Sequence, residues 1–272
     1  MIKLLRSNFT RLWKSKPFWV CMMLSLALSE VNCIGNARLI GWEHRTAEMF
    51  LSGAANTMLF SAIFASLYLG TDYSNGTIRN KLIIGSKRTD IYFSNLVTTA
   101  AGGLLIASVQ WMVCAVFACF GKELGMDAGE LLFQMFIIVC AIISISAVFT
   151  LLGMLINSKS TNTAITITAA FVILIGGAII MNLLAQPEFI TTYVMDENAA
   201  SEDTVIPNPA YIPPGAKRDI LTAVNDVLPG GQIMQVETGS LHNKELMPLY
   251  SLGVLTVTTA AGAVVFRRKD LK

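Results

Sequence analysis

Residues 131 to 156 read LLFQMFIIVCAIISISAVFTLLGMLI, twenty-six positions without one acid or base. About 20 largely apolar residues in a helix cross the roughly 30 Å of a bilayer's hydrocarbon. Leu131 to Ile156 therefore reads as a membrane span, and five further stretches meet the same test on either side of it. They cover about 17–37, 49–69, 91–120, 163–185 and 247–266. The 91–120 stretch is longer than one crossing, so it starts at the interface or tilts. The composition agrees. Of 272 residues, 54% are apolar and only 14% charged, and the mean hydropathy is +0.59. A soluble domain carries about 25% charged residues, so a soluble enzyme, a disordered chain and a DNA-binding module are all excluded.

Six spans put both termini on one side, and the basic residues say which. The N-terminal arm, the loop after the second span, the loop after the fourth and the tail hold fourteen of the twenty Lys and Arg residues. Fourteen of the eighteen acids fall on the other side, and Glu30 lies within a span. Both termini are expected in the cytoplasm. Residues 1–16 read as an interfacial amphipathic helix. At 100° per residue Ile2, Leu5, Phe9, Leu12 and Trp13 share one face, and Lys3, Arg6, Arg11 and Lys14 the other. Five basic residues over sixteen positions make too long an n-region for a cleavable signal peptide. Pro17 then breaks the helix and turns the chain into the bilayer.

Little in the chain suggests chemistry of its own. Cys21, Cys33, Cys114, Cys119 and Cys140 all fall in spans and read as packing residues. His44 and His242 have no clustered Cys or Asp partners, so no metal site or catalytic triad is expected. No phosphate-binding Gly-x-x-x-x-Gly-Lys-Ser/Thr is found; Gly85-Ser86-Lys87-Arg88-Thr89 has the wrong order. Leu228-Pro229-Gly230-Gly231-Gln232 resembles the Leu-Ser-Gly-Gly-Gln signature of ABC ATPases, but Pro replaces its Ser and no P-loop accompanies it. It reads as a helix stop after Ile220, Leu221, Val224, Val227 and Leu228.

The loop between the second and third spans is the most distinctive segment. It runs Gly70-Thr71-Asp72-Tyr73-Ser74-Asn75-Gly76-Thr77-Ile78-Arg79-Asn80-Lys81-Leu82, then Gly85-Ser86-Lys87-Arg88. Asn75-Gly76 signals a turn. Ile78, Leu82 and Ile83 then form a short apolar edge at helical spacing, which suits either lipid or a partner's groove. These residues resemble the ABC-2-type permeases, whose loop at this place has a polar start, Gly-Thr-x-Arg, a hydrophobic residue and a Ser-Arg-like pair. Asp72, Gly76-Thr77-Ile78-Arg79, Leu82 and Ser86-Lys87-Arg88 fit in order, while Asn95 stands where the family often has a Lys. The resemblance implies a coupling helix that seats in a cleft of an ATPase, with Asp72, Tyr73, Gly76, Thr77, Ile78, Arg79, Leu82, Lys87 and Arg88 as its residues. It also implies a small bacterial permease of the branch that exports or clears bacitracin- or lantibiotic-like peptides.

Residues 186–246 form the only sizeable polar region, with nine acids against three bases, a net of −6. Pro207, Pro209, Pro213 and Pro214 predict an extended, irregular stretch over 206–215, and 216–228 reads as one short helix. The segment is expected to cap the outer ends of the spans. Polar residues within spans suggest a pathway, and the candidates are Glu30, Asn32, Asn56 and Gln110. Gly53, Thr57, Ser61 and Ala65, at every fourth position, read as a packing ladder.

The resulting expectation is an all-α integral membrane protein. It has an interfacial helix over 1–16 and a six-span permease domain over 17–272, with a cytoplasmic coupling helix between spans two and three and a capping segment before the sixth. It would sit in the bacterial cell membrane as the permease subunit of an ATP-driven exporter, without catalytic residues, metal or cofactor of its own. ATP and Mg would belong to a cytoplasmic ATPase dimer. A second permease chain, identical or related, would complete the pathway, and no nucleic acid is involved. The alternatives are an ion-coupled secondary transporter, for which only Glu30 speaks, and a membrane sensor or structural protein.

Overall fold

The computed structural model describes residues 1–36, 46–120, 123–196 and 199–269. His44, Arg38, Arg45, Lys122, Glu197, Asp270 and Lys272 lie outside the described residues. The elements in chain order are α1 (Ile2–Trp13), α2 (Lys16–Asn36), α3 (Thr46–Leu51), α4 (Ala54–Ser74), α5 (Thr77–Ile83), α6 (Arg88–Ala118), α7 (Ala128–Leu155) and α8 (Lys159–Leu184). A hairpin, β1 (Phe189–Asp196) and β2 (Ala199–Pro207), precedes α9 (Ala216–Val227), α10 (Pro229–Thr238) and α11 (Met247–Arg268).

Among the described residues, six helical stretches are long and apolar enough to cross a membrane, namely α2, α3 with α4, α6, α7, α8 and α11. The chain is thus a six-span, predominantly helical membrane protein. At 1.5 Å per residue α6 runs roughly 46 Å, so part of its 31 residues projects beyond the hydrocarbon. Large apolar side chains stand exposed on α2 (Val20, Met23, Val31), α8 (Val172, Ile175, Ile179) and α11 (Leu249, Val257, Val264). Those faces suit lipid, while α4 and α7 form the packed centre.

Glycines decide how close the helices come. A Cβ on Gly102 would meet the Phe64 ring at 2.2 Å, and one on Gly103 would meet Ser61 Oγ at 2.9 Å. The small-residue ladder of α4 therefore packs against α6 within the chain. One rung does something else. Gly53 takes a left-handed φ of +92° and separates α3 from α4, so the second span is a broken helix. A β-branched or bulky residue would be strained there.

One end of the bundle, the basal end, gathers α1, α5, the start of α8 and the end of α11. The far end carries α3, the hairpin, α9 and α10. An ion pair from Lys244 to Glu130 at the start of α7 (2.6 Å) holds the segment before α11 to the spans. Two expectations for this segment change. The residues before Pro207 form a two-stranded antiparallel hairpin in which Phe189 pairs with Pro207 and Tyr193 with Asp203; the irregular stretch begins only after Pro207. Pro229-Gly230-Gly231 ends α9 but also begins α10, with Pro229 in its first turn. The glycines permit contact, because a Cβ on Gly230 would lie 2.6 Å from the Ile173 carbonyl and one on Gly177 would lie 2.8 Å from Gly231 Cα. The motif is thus a helix junction pressed against α8.

Candidate functional site

The loop after the second span folds as α5, a two-turn helix set between two glycine hinges. Gly76 (φ +64°) opens it and Gly85 (φ +87°) closes it, and neither would meet a neighbour through an added Cβ. The left-handed backbone, not crowding, is what calls for glycine here. With these hinges α5 lies across the basal end, one face inward and one face out.

The inward face is charged as well as apolar. Ile78 is buried in the cluster of Leu12, Tyr68, Leu69 and Tyr92. Lys81 reaches into the same interface. Its Nζ donates to Asn8 Oδ1 (2.8 Å) and lies 3.6 Å from Asp72 Oδ2. Asp72, only 1% exposed, is also ion-paired with Arg11 of α1, whose guanidinium stacks 3.8 Å above the Tyr68 ring. Asn8 completes the cluster. Its Nδ2 donates to Asn95 Oδ1 (2.9 Å) and Ser94 Oγ (3.3 Å), and its carbonyl accepts from Tyr68 OH (3.0 Å). A charge removed from water needs a close partner, and here one carboxylate serves two cations on two different elements. Burial, with Arg11 adding like-charge repulsion, brings the Lys81 ammonium down to about 7. Burial also lowers the Arg11 value.

A second grip comes from the end of α11. Arg88 donates to the carbonyls of Phe266 and Lys269, and Lys269 Nζ donates to Tyr73 OH (3.1 Å) and the Met154 carbonyl (2.9 Å). Burial lowers Lys269 to about 8. The first and last described helices therefore both hold the α5 segment.

The residues expected in coupling divide by this geometry. Asp72, Tyr73, Ile78, Leu82 and Arg88 face or brace the bundle, and Gly76 and Thr77 form the entry hinge. Arg79 and Lys87 are exposed, and so are Ile83 and Ile84, at 74% and 83%. The apolar edge expected from Ile78, Leu82 and Ile83 is thus split, since the first two pack inward and Ile83 joins Ile84 outside. Sequence reasoning missed Asn8 and Lys81. Asn8 lies four residues from both Leu4 and Leu12, on the line α1 buries, and that spacing is the signal that could have found it.

The candidate pathway residues lie toward the far end and only some of them meet. A Cβ on Gly53 would come within 3.0 Å of Gln110 Nε2 and 3.3 Å of Asn32 Nδ2. Gln110 Oε1 accepts from Thr57 Oγ1 (2.7 Å), and its amide donates to the Ser52 carbonyl. Glu237 of α10 accepts from the Ala55 N–H (2.9 Å) at the N-terminus that this break creates. Burial raises the Glu237 carboxyl, and backbone N–H groups oppose the shift. Asn32 and Gln110 thus converge on the break. Asn56 is half-buried on α4, and Glu30 is exposed on α2.

Comparison with known proteins follows this layout. A family model described as an ABC-2 family transporter protein matches residues 4–177, taking in α1, the α5 segment and most of α8 and ending before the hairpin. No curated protein matches the chain.

Proposed function

The chain belongs to the ABC-2 transporter family and so to the membrane subunits that work with an ABC ATPase; on that premise we propose that α5 is the element through which the ATPase drives this one. The carrying observation is the exposed pair Ile83 and Ile84, with Arg79 and Lys87 beside it, on a helix whose other face is locked into the bundle. An apolar pair flanked by cations suits a groove with an acidic rim. Asp72, Tyr73, Lys81 and Arg88 then carry movement of α5 to α1 and α11. ATP binding would close the ATPase dimer and displace α5, and the spans would switch between two accessible states.

In this reading the basal end is cytoplasmic, which the distribution of Lys and Arg supports. A second permease chain completes the pathway, and the exporter's cargo is a cationic amphipathic peptide or a similar antibiotic. The net −6 of residues 186–246 supports that cargo, since an acidic surface raises the local concentration of cations. Asn32, Asn56 and Gln110 offer polar contacts near the Gly53 break, and Glu30, on an otherwise apolar face of α2, faces the second chain.

Replacing Ile83 and Ile84 with Asp tests the proposal. ATPase co-purification and transport should both fall roughly thirtyfold or more, the effect of losing an apolar anchor from an interface, while membrane insertion stays normal. Unchanged ATPase binding would overturn the assignment of α5.

A further inference from the structure

A cavity of about 350 Å³ opens at the basal end, in the elbow between α1 and α2, against the last turn of α4 and the start of α8. Its size falls within the roughly 300–1,000 Å³ of small-ligand sites. Arg11, Lys14, Lys16 and Lys159 line it, together with Ser15 and Asn75, and no carboxylate does among the described residues. Asp72 is buried between Arg11 and Lys81. The elbow exists because α1 ends at Trp13 and α2 starts at Lys16 with Pro17 in its first turn. Lys159 reaches the cavity because Gly70 lets α8 approach; a Cβ there would lie 3.2 Å from Lys159 Cα. Arg11 is already paired with Asp72, but three exposed lysines converge from the ends of α1, α2 and α8 on one concavity, which like charges do not favour unless an anion joins them.

We propose that this elbow cavity binds a phosphoryl group, held by Lys14, Lys16 and Lys159. Two sources share that chemistry, an anionic phospholipid headgroup and a soluble phosphate compound. The neighbouring side chains favour the lipid. Trp13 and Trp19 flank the elbow with their rings half exposed and 6.0 Å apart, and Trp19 Nε1 donates to the Trp13 carbonyl (2.8 Å). Paired indoles of this kind sit at the level of lipid headgroups, which puts the cavity mouth at the height of the phosphates. A headgroup held there would fix the α1–α2 elbow, and with it the α1 surface that receives Asp72 and Lys81.

The test uses the full chain in phosphatidylcholine nanodiscs containing a small fraction of phosphatidylglycerol brominated on its acyl chains. Quenching of Trp fluorescence is titrated against that fraction, and native mass spectrometry counts the phosphatidylglycerol retained. The triple variant Lys14→Gln, Lys16→Gln, Lys159→Gln changes exposed side chains only. It should need at least tenfold more anionic lipid for half-quenching, since losing even one charge-assisted hydrogen bond to the phosphoryl group costs roughly tenfold. A control that removes equal charge from the same end, Arg6→Gln, Arg267→Gln, Arg268→Gln, should shift the midpoint less than twofold. Equal shifts in the two triples would mean diffuse attraction and overturn the site. In the soluble arm, inorganic phosphate is titrated at millimolar concentration against the detergent-solubilised protein. Binding there that is lost in the lysine triple, without preference for phosphatidylglycerol, keeps the site and assigns it to a soluble phosphate compound. Preference for neither ligand overturns the proposal. The readout is ligand binding, so it stands or falls apart from ATPase docking.

Discussion

At the scale of single residues, the basal end depends on one buried carboxylate. Asp72 neutralises Arg11 and Lys81 together, so Asp72→Asn leaves two cations out of water without a counter-charge. That should cost about 3–5 kcal/mol and appear as a large drop in the melting temperature of the detergent-solubilised protein. Lys81→Met leaves the Arg11–Asp72 pair intact and should cost far less. The two also separate by pH. Lys81 titrates near 7 when folded against 10.5 when free, so between these values the unfolded chain binds more protons than the folded one. Stability should therefore rise with pH from about 7 to 10.5 and be flat in this respect below 7. Lys269, lowered to about 8, adds to the same slope. In Lys81→Met the slope measured by thermal unfolding should shrink to the Lys269 part; an unchanged slope would remove Lys81 as its source. Along the chain Asn8 shows only through its spacing from Leu4 and Leu12, and Lys81 not at all, because a Lys on a basic loop looks solvated until the facing helix is known.

At the scale of elements, the break in the second span and the mounting of α5 carry the weight. Gly53→Ala forces a side chain into a left-handed backbone and against the Gln110 amide. It should destabilise by about 1–3 kcal/mol and straighten the span. The proposed pathway contacts at Asn32 and Gln110 would then separate, and transport should fall further than the melting temperature alone explains. Equal losses of stability and transport would reduce Gly53 to a packing role. Gly53 is readable in the sequence as a small residue in a ladder. Its left-handed φ is not, because a glycine at helical spacing fits both packing and a break. The α5 segment is more legible. Asn75-Gly76 marks its entry, and the Gly-Thr-x-Arg pattern marks its kind. Which of its apolar residues face outward is set by how α1 and α6 lie against it.

At the scale of the whole molecule, the reading to test is orientation. A single Cys at Ser201, in a background without the native cysteines, should react with an impermeant thiol reagent on intact cells. One at Ser158, beside the basal end, should react only after lysis. The reverse pattern would put α5 outside and end its coupling role. Cargo is tested separately. Changing Asp196, Glu197, Glu202 and Asp203 to Asn or Gln should weaken resistance to cationic peptides most at low salt, because screening acts beyond about 8 Å at physiological ionic strength. Glu30→Gln should weaken it at any salt. Wild-type sensitivity to a panel of such peptides in cells lacking the chain would remove the cargo assignment and leave the transporter class intact.

The six spans and the helical class follow from the sequence alone, because a helix needs about 20 apolar residues to cross hydrocarbon whereas the strands of a closed barrel are short and alternating. The run 131–156 announces itself on that ground, and the residues of the α5 loop announce a family by their order. The tertiary structure decided what depends on two distant segments meeting. It turned Asp72, 61 positions after Arg11 in the chain, into the hub of a buried charge cluster. It made Pro229-Gly230-Gly231 a junction pressed on α8, and it paired Phe189 with Pro207 in a hairpin. Local spacing specifies which face of a helix is apolar. It does not specify which neighbour that face meets, and the partners of buried polar groups are fixed only by that meeting.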